Sequence, residues 1–383
     1  MAEGGALASR FRGVVFDLDG VVYLGDEVIR AAPAALDQVR GLGVAVVFVT
    51  NNSYRPPDLV VEKLHRLGVK AAPEEVLTSA KALVRMLGGP AGLDGLRVMV
   101  VGGPGLRQAL EAAGARLVDG SAWRDAEVVA VGFDPDLTYA RVRDATLAIR
   151  AGARFVGSNP DTTLPAPEGL WPGAGATLAL LRASTGVRPE VAGKPERVLL
   201  DTAAAAIGPG PYLMVGDRAD TDLDGARRLG WSTALVLSGV TRLADLPDLA
   251  VAPDHLLRDV GGLLEPPGPA LRPVAGAEQA AADRLLGVGE DGRRRRLVAV
   301  DAERVVVGAV AVPCAGTPGL LDGPVVSDDW RGRLVGTRLV VAACIEARAA
   351  GLARLGAPRA AEAFLSRFGF RPAPDGDSLV RDL

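Results

Sequence analysis

Val14-Val15-Phe16-Asp17-Leu18-Asp19-Gly20 decides the reading of this chain, because an apolar run stops there at two acids and a glycine. Such a run reads as a buried parallel strand that delivers its acids to the carboxyl edge of a sheet, where open α/β folds bind ligands. Alternation along an extended backbone puts Asp17 and Asp19 on one side and Leu18 on the other. Two acids so close repel unless a cation or a proton sits with them. The pair therefore asks for a hard metal such as Mg²⁺, and offers one carboxylate as nucleophile beside a second that moves protons. A solvated Asp-Gly turn is the plainer alternative.

Three more segments have the same character. Val46–Val49 ends in Thr50-Asn51-Asn52-Ser53, a donor-rich cup suited to phosphate oxygens, or else a capping turn for a helix that Pro56 and Pro57 help to start. Lys194, in Gly193-Lys194-Pro195, is expected in a loop at a helix start, where its ammonium could neutralise Asp17 and a phosphate together or simply face water. Tyr212–Val215 runs into Gly216-Asp217-Arg218-Ala219-Asp220-Thr221-Asp222. There Asp217 is placed to join Asp17 on a metal, Asp222 at the start of the next helix suits a water-mediated role, and Asp220 reads as a helix cap.

Bulk properties narrow the classes. A chain of 383 residues is too long for one ordinary core, so two or three domains are expected. Apolar residues make up 49% and charged ones 23%, and a formal net charge of −3 argues against a general nucleic-acid or membrane-surface binder. Cys314 and Cys344 lack ligand-like neighbours, which disfavours zinc and disulfides and favours a reducing compartment. No stretch has the apolar length of a bilayer span, and Met1–Arg12 lacks a signal-peptide segment, so a cytoplasmic location is expected. Lysine occurs at Lys63, Lys70, Lys81 and Lys194 alone, and asparagine at Asn51, Asn52 and Asn159 alone. Where both are so scarce, each one that remains is weighted toward chemistry.

As far as about Gly262, strand-like runs alternate with helical patterns, which implies βαβ units and a mostly parallel sheet. The turn Gly102-Gly103-Pro104-Gly105 faintly suggests a dinucleotide fingerprint, but its spacing is wrong and it reads as a strand-to-helix turn. Glu265-Pro266-Pro267-Gly268-Pro269 is the clearest linker. Beyond it, Leu297–Val300 and Val305–Val312 suggest a hairpin, Pro324–Val326 a strand, and Thr337–Ala350 a long helix. Arg293–Arg296 reads as a solvated loop before a strand. Neither His65 nor His255 has catalytic company.

Acid pair, hydroxyl-amide cup, lysine and second acid pair, in that order, closely resemble the four motifs of the haloacid dehalogenase (HAD) superfamily of phosphatases. Thr50 to Ser53, Ser158-Asn159-Pro160-Asp161 with Pro165, Pro172 to Gly175 and Gly193 to Pro195 resemble its p-nitrophenylphosphatase branch, which includes pyridoxal-phosphate, phosphoglycolate and glycerol-phosphate phosphatases. The resemblance implies a Rossmann-like α/β core over residues 1–79 and 172–262, an α/β cap inserted at 80–171, and a linker at 263–270. It implies Mg²⁺ held by Asp17, the Asp19 carbonyl, Asp217 and Asp222, and catalysis by Asp17, Asp19, Thr50 and Lys194. A small phosphate ester would be bound by Thr50, Asn51, Asn52, Asn159, Asp161 and Lys194. Leu164 stands where the pyridoxal phosphatases carry a histidine, which favours a small aliphatic phosphate, glycerol 3-phosphate foremost, with phosphoglycolate or a broad p-nitrophenyl-type activity as alternatives.

Residues 271–383 resemble the GNAT acetyltransferases, an α+β fold, at Val325-Val326, at Trp330 to Gly336 and at Ala363 to Phe370. Leu334 replaces the middle glycine of that family's pyrophosphate loop, and Leu365 its general-acid tyrosine. The segment is therefore expected to be degenerate, with packing or oligomerisation as its role, or acyl-CoA sensing or residual acetyl transfer as the alternative. Actinobacterial glycerol-3-phosphate phosphatases join the two parts in this order. A phosphomutase or phosphotransferase on the same core is the remaining enzyme class.

Overall fold

Gly13–Asp17, Ala45–Thr50, Val76–Thr78 and Tyr212–Gly216 form parallel strands that lie side by side in the order 212–216, 13–17, 45–50, 76–78 in the computed structural model. The structure describes residues 5–88, 92–166, 168–289, 294–314, 320–374 and 376–383; the first four residues, Arg293 of the arginine run and the Pro165 side chain lie outside the described residues. Val14, Val15, Phe16, Phe48 and Val49 are fully buried, so both faces of the central strands are covered, as the unbroken apolar runs require. Helices Ala32–Gly41, Pro57–Arg66 and Arg197–Ile207 turn their apolar residues to the core. The mixed α/β, parallel-sheet core expected from the sequence is present.

A second, five-stranded parallel sheet has the order 190–191, 154–157, 128–131, 97–101, 116–118. One apolar cluster runs from Val15, Val47 and Val49 through Leu83 to Val98, Val100 and Ala130, and so ties this sheet to the first. A two-stranded hairpin, Thr163–Ala166 with Gly169–Pro172, follows Asp161. The glycine-rich turn at 102–105 leads from a strand into helix Pro104–Ala112, with Pro104 in its first turn. Its glycines serve close approach: a Cβ on Gly105 would fall 2.7 Å from the Ser53 carbonyl oxygen and the Arg55 carbonyl carbon. The Gly105 amide donates to the Tyr54 carbonyl at 2.8 Å.

These elements belong to one contact-defined unit, Ala8–Thr233 with Asp259–Leu264; the remainder forms a second. In the second unit the stretch 234–236 pairs in parallel with His255–Leu257. An antiparallel sheet of Ala270–Pro273, Arg294–Val300, Val306–Pro313 and Asp322–Val326 packs on helix Val335–Ala349, whose Leu339, Val340, Ala343, Cys344 and Ala347 are buried. A strand at 270–273 was not foreseen beside the proline-rich stretch. The arginine run needs correction: Arg294, Arg295 and Arg296 lie in a strand rather than a loop. Their charges are met by Asp322, Glu346 and Asp283, so the strand absorbs arginine without leaving a buried charge unpaired.

Candidate active site

Four chain segments meet at Asp17, the last residue of the buried central strand. The Lys194 ammonium lies 2.6 Å from Asp17 Oδ1 and 2.6 Å from Asp222 Oδ1, and Lys194 is only 2% exposed. It is a buried residue rather than a surface one. Asp17, Asp217 and Asp222 each present a carboxylate oxygen, all within 4.8 Å of one another. Asp217 follows the strand Tyr212–Gly216 directly. Asp222 sits in a π-helical turn, Ala219–Leu223, and not at the start of an α-helix, which begins at Asp224. Gly216 makes that turn possible, since a Cβ there would meet Asp222 Cβ at 2.3 Å. Arg218 donates its amide to Asp222 Oδ2 at 3.1 Å, and its guanidinium pairs with Asp220, which lies in the first turn and takes backbone amides there as well.

Burial pushes the Asp17 carboxyl well above its ordinary value, Asp222 and Asp217 add to the rise, and Lys194 opposes it. Burial alone would depress the Lys194 ammonium, but Asp17 and Asp222 outweigh it and hold it charged. Three carboxyl groups crowd around one ammonium, a donor set that a divalent cation fits. Mg²⁺ takes oxygen ligands at about 2.1 Å, so ligands on opposite sides of the ion stand about 4.2 Å apart. The acid cluster matches that donor chemistry and scale.

Asp19 lies outside the cluster. It keeps solvent contact while protein crowds it on most sides, and this crowding raises its carboxyl above the ordinary value, with Lys63, Lys194 and Arg55 opposing. Thr50 is buried, and its Oγ1 accepts from the Asn52 amide at 3.1 Å. Asn51 is already committed. Its Oδ1 accepts from the Lys194 amide at 2.8 Å, and its Nδ2 donates to the Lys194 carbonyl and to Asp161 Oδ2, each at 3.0 Å. Asn159 donates to the Asn51 carbonyl at 2.7 Å and accepts from the Asp161 amide at 3.1 Å. These carboxamides lace the loops carrying Thr50, Asp161 and Lys194 together. Asn52 is exposed and its Oδ1 accepts from the Tyr54 amide at 2.9 Å, a turn-capping contact. Pro195 does not open the following helix, which starts at Arg197.

Two residues near the site escaped the sequence reading. The Asp19 loop folds back through a hairpin, Tyr23–Leu24 with Glu27–Val28, and the Gly20 amide donates to the Tyr23 carbonyl at 2.7 Å. Lys63 then places its ammonium 3.6 Å from the centroid of the Tyr23 ring. The scarcity of lysine was the one signal for it. Lys70 and Lys81 answer to other partners, Asp37 and the carbonyls of Pro73 and Val76.

The second unit holds a cavity of about 670 Å³, lined among others by Arg258, Trp330, Leu334, Thr337, Phe364 and Arg367. It lies at the start of helix Val335–Ala349, which has no side-chain cap. Leu334, where the resemblance expects glycine, adopts the left-handed φ of 60° that glycine takes freely. Among the described residues, no helix is long and apolar enough to cross a membrane.

The chain is similar to known proteins. Residues 14–116 match the family model described as haloacid dehalogenase-like hydrolase, and residues 191–263 match a HAD-hydrolase-like model. An acid sugar phosphatase of Staphylococcus haemolyticus is 36% identical over 252 residues, which is 65% of this chain and 94% of that protein. The crystal structure of a glycerol phosphate phosphatase from Mycobacterium tuberculosis in complex with magnesium is 31% identical with a TM-score of 0.72, and the match covers 95% of this chain and 98% of that one. A p-nitrophenyl phosphatase from Archaeoglobus fulgidus is 29% identical with a TM-score of 0.62, over 67% of this chain and 98% of that one. With the acids, the lysine and the parallel sheet assembled in this way, the chain belongs to the haloacid dehalogenase-like hydrolases.

Proposed function

We propose that the protein is a Mg²⁺-dependent phosphomonoesterase that works through an aspartyl-phosphate on Asp17. The observation that carries this reading is the junction at one sheet edge of Asp17, Asp217 and Asp222, whose carboxylate oxygens lie within 4.8 Å of one another, with Lys194 joining Asp17 to Asp222. Asp17 attacks phosphorus as the bond to the ester oxygen breaks, and Asp19 gives its proton to the departing alkoxide. Asp19 then takes a proton from water, whose oxygen attacks the aspartyl-phosphate and releases inorganic phosphate with Asp17 restored. Asp17, Asp217, Asp222 and the Asp19 carbonyl would hold Mg²⁺, which would supply charge neutralisation between nucleophile and phosphate. Lys194 and the Thr50 hydroxyl hold the equatorial oxygens, while Asn51 fixes Lys194 in place. The sheet at 97–157 acts as a cap that brings Asn159 and Asp161 to the leaving group.

Glycerol 3-phosphate is the substrate this reading favours, since the relative matched over nearly the whole chain is named a glycerol phosphate phosphatase. Sugar phosphates and p-nitrophenyl phosphate are the alternatives, named for relatives that match the first two thirds. Phosphate release from a panel of monoesters, with Mg²⁺ and then with chelator, tests it. Release confined to the Mg²⁺ arm and highest for glycerol 3-phosphate supports the reading. Transfer of phosphate to an acceptor without release would favour a phosphotransferase.

The cavity of the second unit favours a second, separate reading. Thr337, itself a buried residue, lines it beside the uncapped start of a helix. We infer an acyl-CoA docking site without acetyl transfer, because Leu365, which the resemblance puts at the general-acid position, is a buried apolar residue. Calorimetry of the full chain with acetyl-CoA tests it; no heat removes it.

A further inference from the structure

Lys63 is a buried cation for which the catalytic scheme has no use. It sits on helix Pro57–Arg66 with its side chain 10% exposed. Its ammonium has three donors; it meets the face of the Tyr23 ring at 3.6 Å and the carboxylate of Asp26 at 3.9 Å, and Asp19 is the acid whose charge acts on it most. Asp26 is itself 86% exposed, and 3.9 Å is too long for a hydrogen bond. Tyr23 bridges in backbone register to Asp19, so the ring that carries the ammonium belongs to the loop of the proton donor. The charge is felt on that side of the site. Lys63 is the strongest positive influence on Asp19, ahead of Lys194 and Arg55, and is not among the principal charges acting on Asp17.

We propose, on the basis of the phosphomonoesterase reading, that Lys63 is a leaving-group binding residue. Its free donors take a hydroxyl or carboxylate oxygen borne by the carbon next to the ester carbon. The substrate class is then a phosphate monoester of a vicinally oxygenated alcohol, such as a polyol or hydroxyacid, and not of a plain alkyl or aryl alcohol. A desolvated ammonium with unused donors seeks acceptor oxygens. A lysine whose stem is buried cannot swing away, so its position is fixed before substrate arrives.

The test compares matched esters that differ only in the hydroxyl next to the ester carbon, 1,2-propanediol 1-phosphate and n-propyl phosphate, in wild type, Lys63→Met and Lys63→Arg. A lost hydrogen bond to a charged donor predicts that the ratio of kcat/KM for the two esters falls roughly 10- to 100-fold in Lys63→Met. Lys63→Arg keeps the donors and restores most of the ratio. A ratio within about twofold of wild type in Lys63→Met overturns the proposal, even where both rates fall, since packing or an effect through Asp19 would depress both esters alike. A wild type that prefers n-propyl phosphate overturns it as well. Should the wild type release phosphate from neither ester nor from p-nitrophenyl phosphate, the phosphatase reading itself fails and the inference with it.

Discussion

Asp17 and Lys194 form a pair whose members have opposite needs, and this makes each residue's removal informative. Lys194→Met leaves Asp17 and Asp222 facing one another without the ammonium that spans them, and breaking a buried pair of this kind costs about 3–5 kcal/mol. Denaturant unfolding of the metal-free variant is expected to show a loss of that order, and phosphate release should fall to background. Asp19→Ala should lower kcat roughly 10²–10⁴-fold if Asp19 is the proton donor, with little effect on melting temperature. Asn51→Ala removes three hydrogen bonds that register Lys194 and Asp161, and is expected to raise KM and lower kcat together in steady-state kinetics. The acids and Lys194 were legible in sequence because their chemistry is rare outside such sites. The duty of Asn51 was not, because a carboxamide beside a phosphate cup and one that pins a backbone look alike until their partners are known.

Strands were the elements most readily read. Val14–Phe16, Val46–Val49 and Tyr212–Val215 are apolar on both faces and end in polar residues, and each lies within a parallel strand of the core sheet. The short pieces were not legible: two- and three-residue strands such as Tyr23–Leu24, Val76–Thr78 and Arg116–Val118 are too brief to show a period. The π-turn at Ala219–Leu223 was missed because its acids resemble a helix start, and only the space left by Gly216 lets Asp222 fold back. The glycine-rich turn at 102–105 reads as a turn in either case, but its function follows from packing. Gly105→Ala would force a methyl group onto the Ser53–Arg55 backbone and is expected to cost about 1–3 kcal/mol and lower kcat by displacing Thr50 and its neighbours. A melting curve and kinetics with p-nitrophenyl phosphate measure both effects.

For the whole molecule, the acids crowded at one sheet edge couple stability to pH and metal. The buried Asp17 carboxyl has a folded-state value above its ordinary 3.8, so folding favours its proton. That contribution is complete below the ordinary value and is lost as pH rises through the raised one; Asp19 behaves in the same sense. The metal-free protein should therefore lose melting temperature as pH rises from about 4 toward neutrality, and the gain on adding Mg²⁺ should grow over the same interval. Thermal shifts across pH with Mg²⁺ or chelator check this, and a Mg²⁺ effect independent of pH would contradict it. The most direct test of the central claim is chemical trapping of the acyl phosphate. Protein mixed with substrate and Mg²⁺ is quenched with borohydride, which reduces an aspartyl-phosphate to the alcohol, and its peptides are mapped by mass. The account predicts the reduced side chain at position 17 in wild type and none in Asp17→Asn; phosphate release with position 17 unreduced, or reduction at Asp19 instead, would contradict it.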